Sequence, residues 1–205
     1  MYSQLVSFPK MMCSVSLGTL MVLGAAFFVM TDVSASGLHD VDLPLESSVP
    51  SDTLSQAERF AGEYRFVGGQ READGIDAAI EASADALSPM LRGLGRKKLK
   101  ATNPVPKGMR IAVKGDALEL TIDGKGFKAG LDGKPDSQKS SEGDAVKVSF
   151  KFRDGKLVQF IDGAKGDRHN YIRLSEDGNR LTMKVKVSSS HLPVPVEYKL
   201  TFKRK

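Results

Sequence analysis

From Met109 to the last residue, apolar and polar side chains alternate in short runs, as they do in strands with one buried face. The final run is the clearest. Val196, Tyr198, Leu200 and Phe202 fall on one face of an extended chain, and Glu197, Lys199, Thr201 and Lys203 fall on the other. The pattern predicts strands over residues 110–114, 117–122, 127–131, 145–152, 156–161, 167–174, 179–187 and 195–204. Turn dipeptides separate nearly all of them: Gly115-Asp116, Asp123-Gly124, Asp132-Gly133, Asp154-Gly155, Asp162-Gly163 and Asp177-Gly178. Short turns between successive strands imply an up-and-down antiparallel meander. An earlier strand over 61–67 ends at Gly68-Gly69 and places Gly62, Tyr64 and Phe66 on one face. The chain therefore reads as mostly β, an antiparallel up-and-down β-barrel of about eight to ten strands, whose closure removes the open edges of a sheet.

Between the first strand and the meander the period changes. Ile76, Ile80, Ala84, Leu87, Leu91 and Leu94 lie on one helical stripe, with Asp77, Glu81 and Asp85 off it, so an α-helical insert is predicted over 73–98. Ser88-Pro89 suits the N-cap and first position of a new helix, which leaves a helix-turn-helix and one kinked helix both open. Acidic residues dominate its start, and Arg92, Arg96, Lys97, Lys98 and Lys100 crowd its end, an arrangement that complements the helix dipole. Leu91 and Leu94 beside those bases also fit a helix lying on an anionic surface. Ahead of the first strand, Leu54, Ala57 and Phe60 predict a short helical turn capped by Thr53 or Ser55.

Residues 11–30 carry no charge, are strongly apolar from Leu17 on, and are followed by the small-residue site Val33-Ser34-Ala35. This predicts a signal peptide over 1–35, and so an exported protein, periplasmic or extracellular. An uncleaved N-terminal anchor is the competing reading, since the run is about long enough to span a bilayer. Residues 36–55, rich in Ser, Asp and Pro, read as a flexible tether, and 56–205 as one domain. The single cysteine, Cys13, lies in the leader, so the mature chain of about 170 residues has neither disulfides nor thiolate metal sites. Its stability must come from a core, and a chain of this size can bury roughly 70% of its unfolded surface.

The formal net charge is +5. A basic exported protein can meet anionic lipid, acidic polysaccharide or nucleic acid. Here most lysines alternate with apolar residues, as in residues 146–152 and 183–187, and so line solvated strand faces. A nucleic-acid module is disfavoured because the strand aromatics Phe150, Phe152 and Phe202 sit on the apolar faces.

The opening Gly62-Glu63-Tyr64, the helical insert after it, and a meander whose last strand ends at Arg204 resemble the calycins. Lipocalins share the Gly-x-aromatic opening, and fatty-acid-binding proteins share the insert. The lipocalin resemblance implies that Tyr64 packs inside the closed end of the barrel beneath Arg204. Fatty-acid-binding proteins hold a ligand carboxylate with an Arg-x-Tyr pair on the last strand. Here that strand reads Val196-Glu197-Tyr198, without the arginine, so this mode of carboxylate capture is not supported.

Catalytic chemistry has little to stand on. His39, His169 and His191 share no ligand-like spacing, and Ser190-His191 is adjacency rather than a triad. The expectation is a non-enzyme without cofactor or metal. The densest run of functional side chains is 167–173, where His169, Tyr171 and Arg173 share one face. Turned inward, that face offers Arg173 and Tyr171 to an anionic head group. Hydrophobic accounting instead puts Ile172 and Leu174 inside and leaves those three in water. The stretch 136–144 reads as a polar loop, either a portal flap or a solvated insertion. The functional expectation is a monomeric barrel binding an apolar or amphiphilic small molecule, with Tyr64, Phe150, Phe152, Tyr171, Arg173, Met183, Tyr198 and Arg204 as candidate ligand residues. The alternative is a filled, structural barrel of the cell envelope that meets an anionic component through Arg92, Arg96, Lys97, Lys98 and Lys100.

Overall fold

A computed structural model describes residues 49–205; the expected signal peptide and most of the tether lie outside the described residues. Within them a short helix, α1 (Ser51–Phe60), leads into strand β1 (Gly62–Phe66), then helices α2 (Gly69–Asp85) and α3 (Pro89–Thr102). Nine strands follow: β2 (Gly108–Lys114), β3 (Ala117–Ile122), β4 (Lys125–Gly130), β5 (Asp136–Lys139), β6 (Ala145–Arg153), β7 (Lys156–Gly163), β8 (Gly166–Leu174), β9 (Arg180–Ser188) and β10 (Val196–Arg204). All are antiparallel neighbours in one ten-stranded sheet, ordered β4-β3-β2-β1-β10-β9-β8-β7-β6-β5. The expected meander is present. At the β6–β7 hairpin Asp154 and Gly155 both have positive φ, 51° and 68°, the twist a two-residue turn between right-twisted strands requires.

The insert is a helix-turn-helix rather than one kinked helix, because Pro89 opens α3 directly after Ser88. Three other expectations need correction. Helix α1 starts at Ser51, inside the stretch read as tether, and its N-cap is Pro50 with no side-chain cap bond, so neither Thr53 nor Ser55 serves as cap. Residues 136–139, read as part of a polar loop, form strand β5: their polar side chains hide the strand period, but their backbone pairs with β6. Leu91 and Leu94 continue the helical stripe in sequence yet are 52% and 69% exposed. Only the α2 part of the stripe, Ile76, Ile80 and Ala84, is buried, because α2 packs along β10 while α3 stands over the barrel mouth.

The barrel closes along two seams. β1 pairs with β10 only through Phe202 to Arg204, so the upper edge of β10 is left to α2. There the Glu72 carboxylate accepts from the Thr201 amide at 2.6 Å and from its hydroxyl at 2.7 Å, which satisfies a backbone donor the short β1 does not reach. At the other seam β4 and β5 share no ladder. The Gln138 side-chain amide takes the place of a backbone unit, accepting from the Lys128 amide at 3.2 Å and donating to the Lys128 carbonyl, while Asp136 accepts from the Gly130 amide at 3.2 Å.

The two ends of the barrel differ. One is packed solid: Tyr64, Phe150, Leu157, Ile172, Leu181 and Phe202 are all at most 1% exposed, and α1 covers that end with Phe60 against Phe152, ring centroids 5.8 Å apart. Arg204 lies over the Tyr64 ring at 5.1 Å and donates to the Tyr64 hydroxyl and to the carbonyls of Arg59, Ala61 and Gly178. Gly62 has a φ of 151°, and a Cβ there would press on the Arg204 guanidinium at 3.2 Å, which is why glycine opens this strand. Burial pushes the Tyr64 phenol above its ordinary value, against the opposing pull of Arg204. The other end is open.

Candidate functional site

The open end is formed by the β3–β4, β5–β6, β7–β8 and β9–β10 turns, with α3 as one wall, and it encloses a cavity of about 740 Å³. Such a volume suits a drug-sized or lipid-sized molecule. Leu120, Ile122, Phe127, Val146, Ile161 and Val187 supply apolar wall from the strands, and Leu87, Leu91 and Leu94 supply it from the helical side. The exposure of Leu91 and Leu94 is thus exposure at a mouth.

Strand register arranges the floor. Across β6, β7, β8, β9 and β10 one inward row reads Phe150, Gln159, Asn170, Val185, Tyr198; the next row towards the closed end reads Phe152, Leu157, Ile172, Met183, Leu200. The first row carries polar groups and the second is apolar throughout. Arg168, two residues before Asn170 and so on the same face, completes a hydrogen-bonded cluster. Its Nε donates to Asn170 Oδ1 at 3.2 Å, its Nη1 to Asn103 Oδ1 at 3.1 Å, and its Nη2 to the Tyr198 hydroxyl at 3.2 Å. Tyr198 in turn donates to Asn103 Oδ1 at 3.0 Å, and Asn170 Nδ2 to Gln159 Oε1 at 2.7 Å. Asn103, at the C-cap of α3, is fixed by donating to the Leu99 carbonyl at 3.0 Å, so the helix end is tied to the barrel floor.

Among the described residues no carboxylate pairs with Arg168. Its three partners are neutral, and a guanidinium has further N–H donors. A partly buried cation held by neutral acceptors beside an apolar cavity is a ready counter-charge for an anionic group.

The structure divides the expected ligand residues. Met183 and Tyr198 line the cavity. Tyr64 and Arg204 instead form the closed-end clasp, as the lipocalin resemblance implied, and do not line it. Phe150 belongs to the buried core, and Phe152 packs partly buried against that core with its ring on Phe60 of α1. Tyr171 and Arg173 lie on the outer face and Arg173 is exposed, because the fully buried Ile172 fixes the strand the other way round. His169 is also outside, its ring 4.8 Å from that of Phe160 and its Nε2 3.3 Å from Asp162. The functional side chains of β8 that do face inward are Arg168 and Asn170. Of the described residues, no group of three His, Cys, Asp or Glu side chains is placed to hold a metal ion.

The bases of α3 are largely engaged. Arg96 reaches Glu81 at 2.5 Å and Asp85 at 3.4 Å, Arg92 lies 3.8 Å from Asp85, and Lys100 is 3.3 Å from both Asp77 and Glu81. They clasp α3 to α2, and only Lys97 and Lys98 of the basic group stand outside these pairs. Arg96, aided by Lys100, holds the Glu81 carboxyl below its ordinary range, and Asp77 with Glu81 holds the Lys100 ammonium above its own. The signs set a pH window. The lowered carboxyl contributes above the usual glutamate value and is lost as pH falls through its folded value; the raised ammonium contributes below the usual lysine value and is lost as pH rises through its folded one. The clasp is therefore complete at neutral pH. Thermal unfolding of the wild type and of Glu81→Gln should differ at pH 7 and converge as the pH falls below the ordinary glutamate range, and the difference should shrink in high salt.

No protein-family model matches the sequence, and no curated protein matches it either. Solved structures do match the chain path. The secretary abundant heat soluble protein of Ramazzottius varieornatus is 14% identical, covers 72% of this chain and 96% of its own, and gives a TM-score of 0.49. Lipid binding protein 8 of Caenorhabditis elegans is 13% identical over 77% of this chain and 99% of its own, with a TM-score of 0.47. Zebrafish ileal bile acid-binding protein, solved with cholic acid, is 16% identical over 72% and 99%, with a TM-score of 0.44. The fold is a nearly closed antiparallel barrel, with the first strand, helical insert and meander in the order expected from Gly62-Glu63-Tyr64 onward.

Proposed function

We propose that this protein binds an amphiphilic small molecule in the barrel mouth, anionic end inward on Arg168 and apolar part along the leucines of α3. The observation that carries the reading is the cavity of about 740 Å³ whose apolar wall holds one guanidinium without a carboxylate partner among the described residues. Burial of the ligand's apolar surface supplies affinity at roughly 25 cal/mol per Å² before ordering costs. Arg168 and Tyr198 fix its orientation. A wholly filled barrel describes only the closed end, which is why the structural alternative is not preferred.

The leader over residues 1–35 supports export of the protein to the periplasm or beyond, where such a barrel carries a poorly soluble molecule through water. Of the basic groups suggested for an anionic envelope surface, Lys97 and Lys98 are the ones left for it. Native mass spectrometry of the protein purified from its own host should show an excess mass of a few hundred daltons that disappears on denaturation. A bare chain that also fails to take up any added fatty acid would end the reading.

A further inference from the structure

The cavity floor holds a second donor that the arginine site does not account for. Gln159 is 1% exposed, lines the cavity, and its Nε2 has no hydrogen-bond partner among the described residues. The orientation of that amide follows from the arginine. A guanidinium only donates, so the atom of Asn170 facing Arg168 Nε is its oxygen; its nitrogen then faces Gln159 and must meet an oxygen; the Gln159 nitrogen is left pointing at no acceptor. Turning either amide over would set donor against donor. Both polar atoms of the Asn170 side chain are already engaged, and they separate the arginine from the orphan.

We propose that Gln159 is a specificity-determining donor that selects ligands bearing a second, uncharged oxygen close to the anionic end: hydroxy or oxo acids rather than plain acyl chains. This deepens the reading above and rests on it. Gln159 Nε2 is buried without an acceptor among the described residues; an apolar chain laid over the floor leaves that donor stranded, whereas a ligand oxygen brought against it supplies the missing acceptor. A carboxylate held by Arg168 is one station along the wall. A hydroxyl or keto oxygen one or two carbons away comes to the next station, across Asn170.

The test compares hexadecanoic acid with its 2-hydroxy and 3-hydroxy derivatives on the delipidated protein by titration calorimetry. At least one hydroxy acid should bind about 3- to 10-fold more tightly than the plain acid, the range of one added neutral hydrogen bond. Gln159→Met, close in volume and without donors, should abolish that preference; because it also takes the acceptor from the buried Asn170 Nδ2, its unfolding temperature should fall. Equal binding of all three acids by the wild type, or a preference that survives Gln159→Met, would overturn the inference and leave the head-inward reading standing. Failure of all three acids to bind would overturn both. The wild-type comparison decides the matter even where the variant folds poorly.

Discussion

Arg168→Met should lower affinity for a long-chain fatty acid about 10- to 100-fold and leave affinity for the methyl ester of the same acid nearly unchanged. The guanidinium is the one charge among the inward polar groups of the floor, and hydrogen bonds to a charged group contribute about 1.5–3 kcal/mol each, which corresponds to that range. Methionine keeps the length and apolar stem of the side chain, so the contacts made by the ligand chain persist. Stability should move little, by less than about 1 kcal/mol, because desolvation of an arginine without a carboxylate partner already offsets much of what its hydrogen bonds return. Asn103 and Tyr198 keep each other after the change, at 3.0 Å; only Asn170 Oδ1 loses its donor. Calorimetry with the acid and the ester, alongside thermal unfolding, separates the cases. Equal weakening of acid and ester would mean that Arg168 shapes the cavity rather than reading charge.

How much of this was legible in the sequence depends on whether alternation was followed to its end. Strand number, the turns and the helical insert follow from period and from Asp-Gly pairs, because a half-buried strand must alternate and a tight hairpin must tolerate positive φ. Ile172 and Leu174 as core residues already place Arg168 and Asn170 on their face, and Leu157 and Ile161 place Gln159 on theirs. Polar residues at apolar-face positions were the signal for the floor. His169, Tyr171 and Arg173 drew attention by their chemistry, but they sit on the face that the same alternation sends to solvent. Asn103 could not have been found this way. It lies in a helix cap, and its closeness to Tyr198, 95 residues away, exists only once the barrel has closed beneath α3. Strand β5 was hidden for a related reason: at the seam a polar side chain, Gln138, replaces a paired backbone, so no apolar face marks the strand.

The other inward arginine should behave in the opposite way. Arg204→Met should destabilise the fold by about 3 kcal/mol and leave ligand affinity unchanged. Its guanidinium ties four acceptors from separate parts of the chain: the carbonyls of Arg59 and Ala61 at the end of α1, the Gly178 carbonyl in the β8–β9 turn, and the Tyr64 hydroxyl, at 2.7–3.0 Å. Methionine leaves those acceptors without their donor at the packed end of the barrel, and α1 loses two of its ties to β10. The Tyr64 hydroxyl still donates to the Phe60 carbonyl at 2.8 Å, so the end loosens rather than opens. Denaturant unfolding should show the midpoint shift without a change in slope, as a loss of stability alone requires. Equal fatty-acid affinity in the folded variant would then confirm that the two ends of the barrel work separately, one arginine holding the fold and the other facing the ligand. A loss of affinity matching the loss of stability would instead show that the cavity floor depends on the closed end through the apolar row of Leu157, Ile172, Met183 and Leu200 between them.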